Sequence, residues 1–206
     1  QMVGQLRVGM VPLASLNPMQ LIKPLAEKYP ALQFSLLSMT SEQIIDGVSR
    51  NQLDLGICYL QHLDERLFKI ARLPQTRMGL LHDKRHFDFS AGTPGWDTLA
   101  ALPLGFLTKG MYYRESIEIS FKAKGLTPTS VFESDSTFQI IQAVQAGICC
   151  AIMPLNNGLE ALSDNLEILP IAETQVDSQL ALIMRQQEPV SSLAEKCFAE
   201  AQGIFG

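Results

Sequence analysis

Four junctions in the chain place small hydroxyls where a strand gives way to a helix: Pro12-Leu13-Ala14-Ser15, Met39-Thr40-Ser41, Leu107-Thr108-Lys109-Gly110 and Ser134-Asp135-Ser136-Thr137. The first N–H groups of a helix lack intrahelical partners and carry partial positive charge, so such junctions suit a small anion. Lys109 adds a cation to the set. The same hydroxyls also serve as ordinary N-caps, and for Thr40 and Ser136 capping is part of the role. Convergence of several junctions on one place is what favours ligand binding for the group.

Other chemistry is poorly represented. The sequence holds no G-x-S-x-G, P-loop, G-x-G-x-x-G or H-E-x-x-H motif. His82 and His86 are spaced i, i+4, but Phe87, Gly92 and Pro94 make their segment a loop, so they read as surface histidines and no metal is expected. Asp54, between Leu53 and Leu55, reads as a partner for a neighbouring donor and not as a catalytic carboxylate. Cys58, Cys149, Cys150 and Cys197 show no C-x-x-C spacing and read as reduced thiols behaving as small hydrophobes. No cofactor is implied.

These residues are positioned by a regular alternation. Leu6–Val11, Gln33–Ser38 and Leu53–Tyr59 read as strands. Between them lie a helix opened by Asn17-Pro18-Met19-Gln20, with Leu21, Ile22, Leu25, Ala26 and Tyr29 at helical spacing, and one opened by the capping box Thr40-Ser41-Glu42-Gln43. Pro24 predicts a kink or a broken last turn in the first helix. This βαβαβ order argues for a parallel sheet covered by helices. Leu67–Leu73 and Met78–His82 read as further strands. The alternation then restarts with strands at 104–106 and 130–133, a helix at Tyr113–Lys124, and a second helix from Ser136 with Phe138, Ile141 and Val144 inward. Ile148–Met153, with no alternation, reads as a parallel strand buried on both faces. Strands at Leu166–Ile171 and Val176–Met184 follow, then a terminal helix. The expected organisation is two α/β lobes, residues 1–75 plus 176–206 and residues 76–175, joined by two crossover hinge strands. Ligands in such sheets bind beyond the carboxyl ends of the strands, here the cleft between lobes.

Composition narrows the class. With 206 residues, 47% hydrophobic and 18% charged, the chain can build a large core and is neither disordered nor fibrous. Sixteen Lys+Arg against 21 Asp+Glu give net charge −5, unlike a domain that grips nucleic acid by itself. No window approaches the roughly 18 apolar residues of a membrane span. The opening Gln1-Met2-Val3-Gly4-Gln5 lacks the features of a signal peptide and reads as a chain entered just before its first strand.

The order of Leu6-Arg7-Val8-Gly9-Met10-Val11-Pro12, Leu25-Ala26-Glu27-Lys28-Tyr29-Pro30, Asn51-Gln52-Leu53-Asp54-Leu55-Gly56-Ile57 and Gln142-Ala143-Val144-Gln145-Ala146-Gly147 through Pro154 resembles the effector-binding domain of LysR-type transcriptional regulators. The resemblance implies a type 2 periplasmic-binding-protein fold working in the cytoplasm, with a small, anionic inducer between the lobes. It also implies a winged helix-turn-helix outside these residues that makes the DNA contacts. Family effector positions carry over to Ala14, Ser15, Thr40, Ser41 and Tyr59 in the first lobe. In the second they carry over to Lys109, Gly110, Ser134, Ser136, Thr137 and Pro154. Pro24 and Cys149-Cys150 depart from the family pattern, and the cysteines lack the spacing of peroxide-sensing members.

A homodimer or tetramer is implied, pairing the Ser41–Arg50 helix of one copy with the Tyr113–Lys124 helix of another through Val48 and Ile119. Two alternatives share the architecture. A transport solute-binding protein would carry an export signal. A short-form ATP phosphoribosyltransferase, an enzyme, would show a Gly-rich phosphate loop, whereas Glu133-Ser134-Asp135-Ser136-Thr137 has no glycine.

Overall fold

β1 (Gly4–Met10) is flanked by β2 (Leu32–Ser38) and β3 (Leu55–Tyr59), both parallel to it, as two short helical crossovers require. This computed structural model describes residues 2–61, 63–75, 77–172 and 179–205. The crossover helices are α1 (Met19–Lys28) and α2 (Ser41–Ser49). Asn17 Oδ1 accepts from Met19 N at 3.0 Å and so starts α1. α1 runs through Pro24 to Lys28 without the break that a mid-helix proline predicts. It buries Leu21, Ile22 and Leu25, while Ala26 is exposed.

β4 (Phe68–Arg72) and β10 (Leu180–Arg185) complete a five-stranded sheet in the order β2-β1-β3-β10-β4, with β10 antiparallel to both of its neighbours. The expected strand start at Val176 lies outside the described residues. Helix α6 (Ser192–Phe205) packs on β10 and α1 through Ala194, Cys197, Phe198 and Ala201. The chain divides into two compact units, Gln1–Gln75 with Ser178–Gly206, and Thr76–Asp177.

In the second unit β5 (Met78–Asp83) lies between β8 (Ala151–Pro154) and β9 (Leu166–Pro170), antiparallel to both. β6 (Pro103–Leu107) pairs in parallel with β7 (Thr129–Ser134), with a bulge at Leu104/Gly105. Helices α3 (Trp96–Ala101), α4 (Tyr112–Ala123) and α5 (Thr137–Gln145) complete the unit, with a short 3₁₀ turn at Leu159–Leu162.

Four expectations are corrected here. The buried strand begins at Ala151, and its ladder partner β5 is antiparallel; its only parallel link among the described residues is the bridge Leu104↔Cys150. Ile148 is 51% exposed because it belongs to the end of α5: Gly147 N reaches Val144 O, Ile148 N reaches Ala143 O, and Gly147 takes φ 77. Phe138 faces solvent, 67% exposed. The buried stripe of α5 is Ile140, Ile141, Ala143 and Val144, and at 3.6 residues per turn Phe138 stands roughly 140° from its centre. His82, read as a surface residue, is 1% exposed: it lies on a strand buried along its whole length, with Phe89 against its ring and Glu167 beside Nε2. Val48 is completely buried beneath α2, so it is a core residue and cannot contribute to an interface.

Candidate functional site

In the first unit the candidates collect at the carboxyl ends of three adjacent strands. β1 runs out through Val11, whose N–H donates to Ile57 O, into the Leu13-Ala14-Ser15 turn. Leu13 holds φ 53, a left-handed conformation that costs a side-chain-bearing residue about 1–2 kcal/mol. β2 leads through Met39 to Thr40 and Ser41 at the start of α2. Thr40 Oγ1 accepts from Gln43 N at 3.1 Å, and Gln43 Oε1 accepts from Thr40 N at 3.0 Å, a complete capping box. β3 ends at Tyr59, whose N–H donates to Ser41 Oγ at 3.4 Å. Ser15, Thr40 and Ser41 are partly exposed, whereas Ala14 and Tyr59 are buried. Capping consumes the Thr40 N–H; among the described residues no side chain takes up the first-turn amides of Ser41 and Glu42.

In the second unit the ladder sets Leu107 opposite Ser134, so the Lys109-Gly110 turn after β6 and the Ser134–Thr137 turn after β7 leave from neighbouring strand ends. Gly110 takes φ 94 in open space, so its requirement for glycine is conformational and not steric. Ser134 Oγ donates to Gln139 Oε1 at 2.6 Å and accepts from Ser136 N at 3.0 Å. Ser136 Oγ accepts from Gln139 N at 3.3 Å. Ser136 and Gln139 therefore make only half of a capping box, because Ser134 diverts the Gln139 side chain. The bridge Leu104↔Cys150 runs β8 in the direction of β6, so buried Pro154 ends at the same edge. Lys109 is exposed. The first turn of α5 carries no acidic residue, whereas that of α2 carries Glu42, but exposed Asp135 stands directly before the Ser136 cap.

Sequence reading missed Arg114. Its guanidinium, 6% exposed, donates from Nη1 to Leu107 O and Glu133 Oε2, both at 2.7 Å, and from Nε to Glu118 Oε1 at 2.9 Å. Burial alone would lower its pKa, but the bonds to Glu133 and Glu118 raise it, so it stays charged. The i, i+4 spacing to Glu118 is visible in the sequence; Glu133 arrives only through the β6–β7 register.

Asp54 and the four cysteines are engaged by the fold. Asp54 accepts from Arg7 N at 2.8 Å and from Arg7 Nε and Nη2 at 3.2 Å. A groove of about 540 Å³ beside Arg7, Asn51, Asp54 and Ser191 contains none of the candidate residues. All four cysteines are buried and unbridged, and desolvation raises the thiols to about 12 at Cys58 and Cys150 and about 11 at Cys149 and Cys197, far from the thiolate a redox sensor needs. Among the described residues no cluster of His, Cys, Asp and Glu could hold a metal, and no helix is long and apolar enough to cross a membrane.

The same architecture recurs in known structures. The regulatory domain of CcmR from Synechocystis PCC6803, in complex with 2-PG, matches 98% of this chain and 97% of its own, with TM-score 0.77 and 17% identity. The effector binding domain of QuiR in complex with shikimate matches 98% and 96%, with TM-score 0.75 and 18% identity. A putative LysR family transcriptional regulator from Pseudomonas aeruginosa matches 99% and 76%, with TM-score 0.75 and 19% identity. At these identities the likeness establishes the fold, a periplasmic-binding-protein-like α/β architecture. The model of the LysR substrate binding domain matches residues 1–204, and the chain belongs to that family.

Proposed function

We propose that this chain senses a small anionic effector for a LysR-type transcriptional regulator, binding it between its two lobes and making no chemical change to it. The observation that carries the reading is the gathering of hydroxyls and helix-capping turns at the carboxyl ends of parallel strands in both units: Ser15, Thr40 and Ser41 in one, Lys109, Gly110, Ser134, Ser136 and Thr137 in the other. Ala14, Tyr59 and Pro154 shape the walls from buried positions. The complexes of QuiR with shikimate and CcmR with 2-PG support a small polar ligand. In this reading the regulator works in the cytoplasm as a homodimer or tetramer. A winged helix-turn-helix outside these residues contacts DNA, in line with the full-length CbnR structure described with its target DNA.

A thermal-shift screen of small carboxylates and phosphates tests the proposal, since a ligand that binds the native state raises its apparent stability. Removing a hydroxyl or cation that bonds a desolvated ligand costs about 1–3 kcal/mol, roughly 5- to 150-fold in affinity. Thr40→Ala and Lys109→Ala should each lose affinity in that range. Wild-type affinity in both variants would exclude this site.

A further inference from the structure

We infer that Arg114 is the positioning residue of the second unit, holding the Lys109-Gly110 turn and the Ser134–Thr137 turn in fixed register through Leu107 O and Glu133. This deepens the effector reading and rests on it for its functional meaning, though the physical assignment does not.

The two turns leave from the ends of the β6–β7 ladder; β6 is held on its other edge by Gly105 N to Cys150 O and Cys150 N to Pro103 O, both at 2.8 Å, but those bonds lie toward the start of β6, away from the turns. The bulge at Leu104/Gly105 disturbs the ladder's register. The ladder ends at the pair Leu107↔Ser134, immediately before both turns. One guanidinium spans that end: Nη1 holds the last carbonyl of β6 and the carboxylate of Glu133, the penultimate residue of β7. Nε ties the same group to Glu118 on α4, the helix that follows the Lys109-Gly110 turn. The cation lies over the Phe106 ring at 4.8 Å, which fixes its plane.

The planar fork matters here. Lysine offers a point charge on a flexible stem and does not hold three partners in one plane. Charge also assigns the work. With two carboxylates on it, Arg114 has no charge to spare for an effector, which leaves Lys109 to meet the anion. Without Arg114, Glu133 would stand unneutralised beside Ser134 and repel that anion.

Amide hydrogen exchange on the 206-residue chain tests the assignment, because exchange reports local opening separately from global stability. In Arg114→Gln, the hydrogen-bonded turn amides of Met111 and Ser136 should exchange at least tenfold faster, with β5 and β8 unchanged. Arg114→Lys should recover part of the protection. Ile117→Ala, which hollows the buried face of the same helix without touching the network, supplies the general-destabilisation pattern across the unit. Wild-type rates in both turns of Arg114→Gln, or a distribution indistinguishable from Ile117→Ala, would overturn the proposal. The readout needs no ligand, so failure of the wild-type chain to bind any small carboxylate or phosphate in a parallel titration counts against the effector reading alone, while the exchange pattern still decides Arg114.

Discussion

His82 and Asp83 are adjacent on β5, both buried, and both lose stability as pH falls, His82 near neutrality and Asp83 in the acid range. His82 meets the edge of Phe89, and its Nε2 lies 3.5 Å from Glu167 Oε1. Burial depresses its pKa below the ordinary imidazole value, and Glu167 offsets only part of that. The unfolded chain therefore binds the proton more readily, so stability is full above about pH 6.5 and declines as pH falls below it. Asp83 is held by Arg85 at 2.7–3.0 Å, which depresses its carboxyl, so its contribution is lost only at more acidic pH. Thermal melts between pH 7.5 and 5.5 should show a falling midpoint that flattens in His82→Gln. An unchanged slope in that variant would dismiss His82 as the source. The run Met78-Gly79-Leu80-Leu81 lacks polar alternation, the signal of burial on both faces, but the extension of that burial to His82 depends on Phe89 and Glu167, which approach from outside the strand. Arg114 escaped notice for a similar reason, since its decisive partner is 19 residues away across a strand register.

At the scale of elements, the segments that carried the family resemblance are the ones with the tightest physical constraints. In Asn51–Ile57, Asn51 takes φ 58 and ends α2, with Gln52 N on Gly47 O. Asp54 anchors Arg7, and Gly56 gives α2 room to dock. A Cβ on Gly56 would stand 2.5 Å from Ile44 Cγ2 and 3.0 Å from Ile183 Cγ1. Overpacking of that kind costs typically 1–3 kcal/mol, so Gly56→Ala should lower the melting temperature by roughly 2–4 °C per kcal/mol. A neutral variant would show that α2 can shift freely. The same helix bears on self-association. With Val48 buried and Ile45 half-buried, α2 offers less apolar surface than its sequence suggests, while Ile119 on α4 stays 63% exposed. Sedimentation at tens of micromolar should give twice the chain mass, and Ile119→Glu should shift it toward one copy. A dimer indifferent to Ile119→Glu would remove α4 from the interface. Strand–helix–strand order was legible because its contacts are local. The pairing of β10 with β3 and β4 joins residues more than a hundred positions apart and left no local signal.

For the whole molecule the arrangement of charge matters more than its sum. The net charge is −5, and several cations are already committed: Arg7 to Asp54, Lys28 to Glu200, Arg50 to Asp46, Arg66 to Asp64, Arg85 to Asp83, and Arg114 to Glu118 and Glu133. Affinity for duplex DNA depends on lysines and arginines displacing condensed counterions from phosphates. A guanidinium already bonded to a carboxylate displaces few, and an excess of acid repels the duplex at long range, most strongly at low salt where screening is weakest. The chain by itself should therefore show no sequence-dependent binding to duplex DNA at sub-micromolar concentration, even at about 50 mM salt where electrostatic binding is favoured. Fluorescence anisotropy with labelled duplexes of two unrelated sequences makes the measurement. Tight binding that distinguishes the sequences would mean that this domain contacts bases itself, and the division of labour between an effector-sensing domain and a separate DNA-binding domain would have to be abandoned.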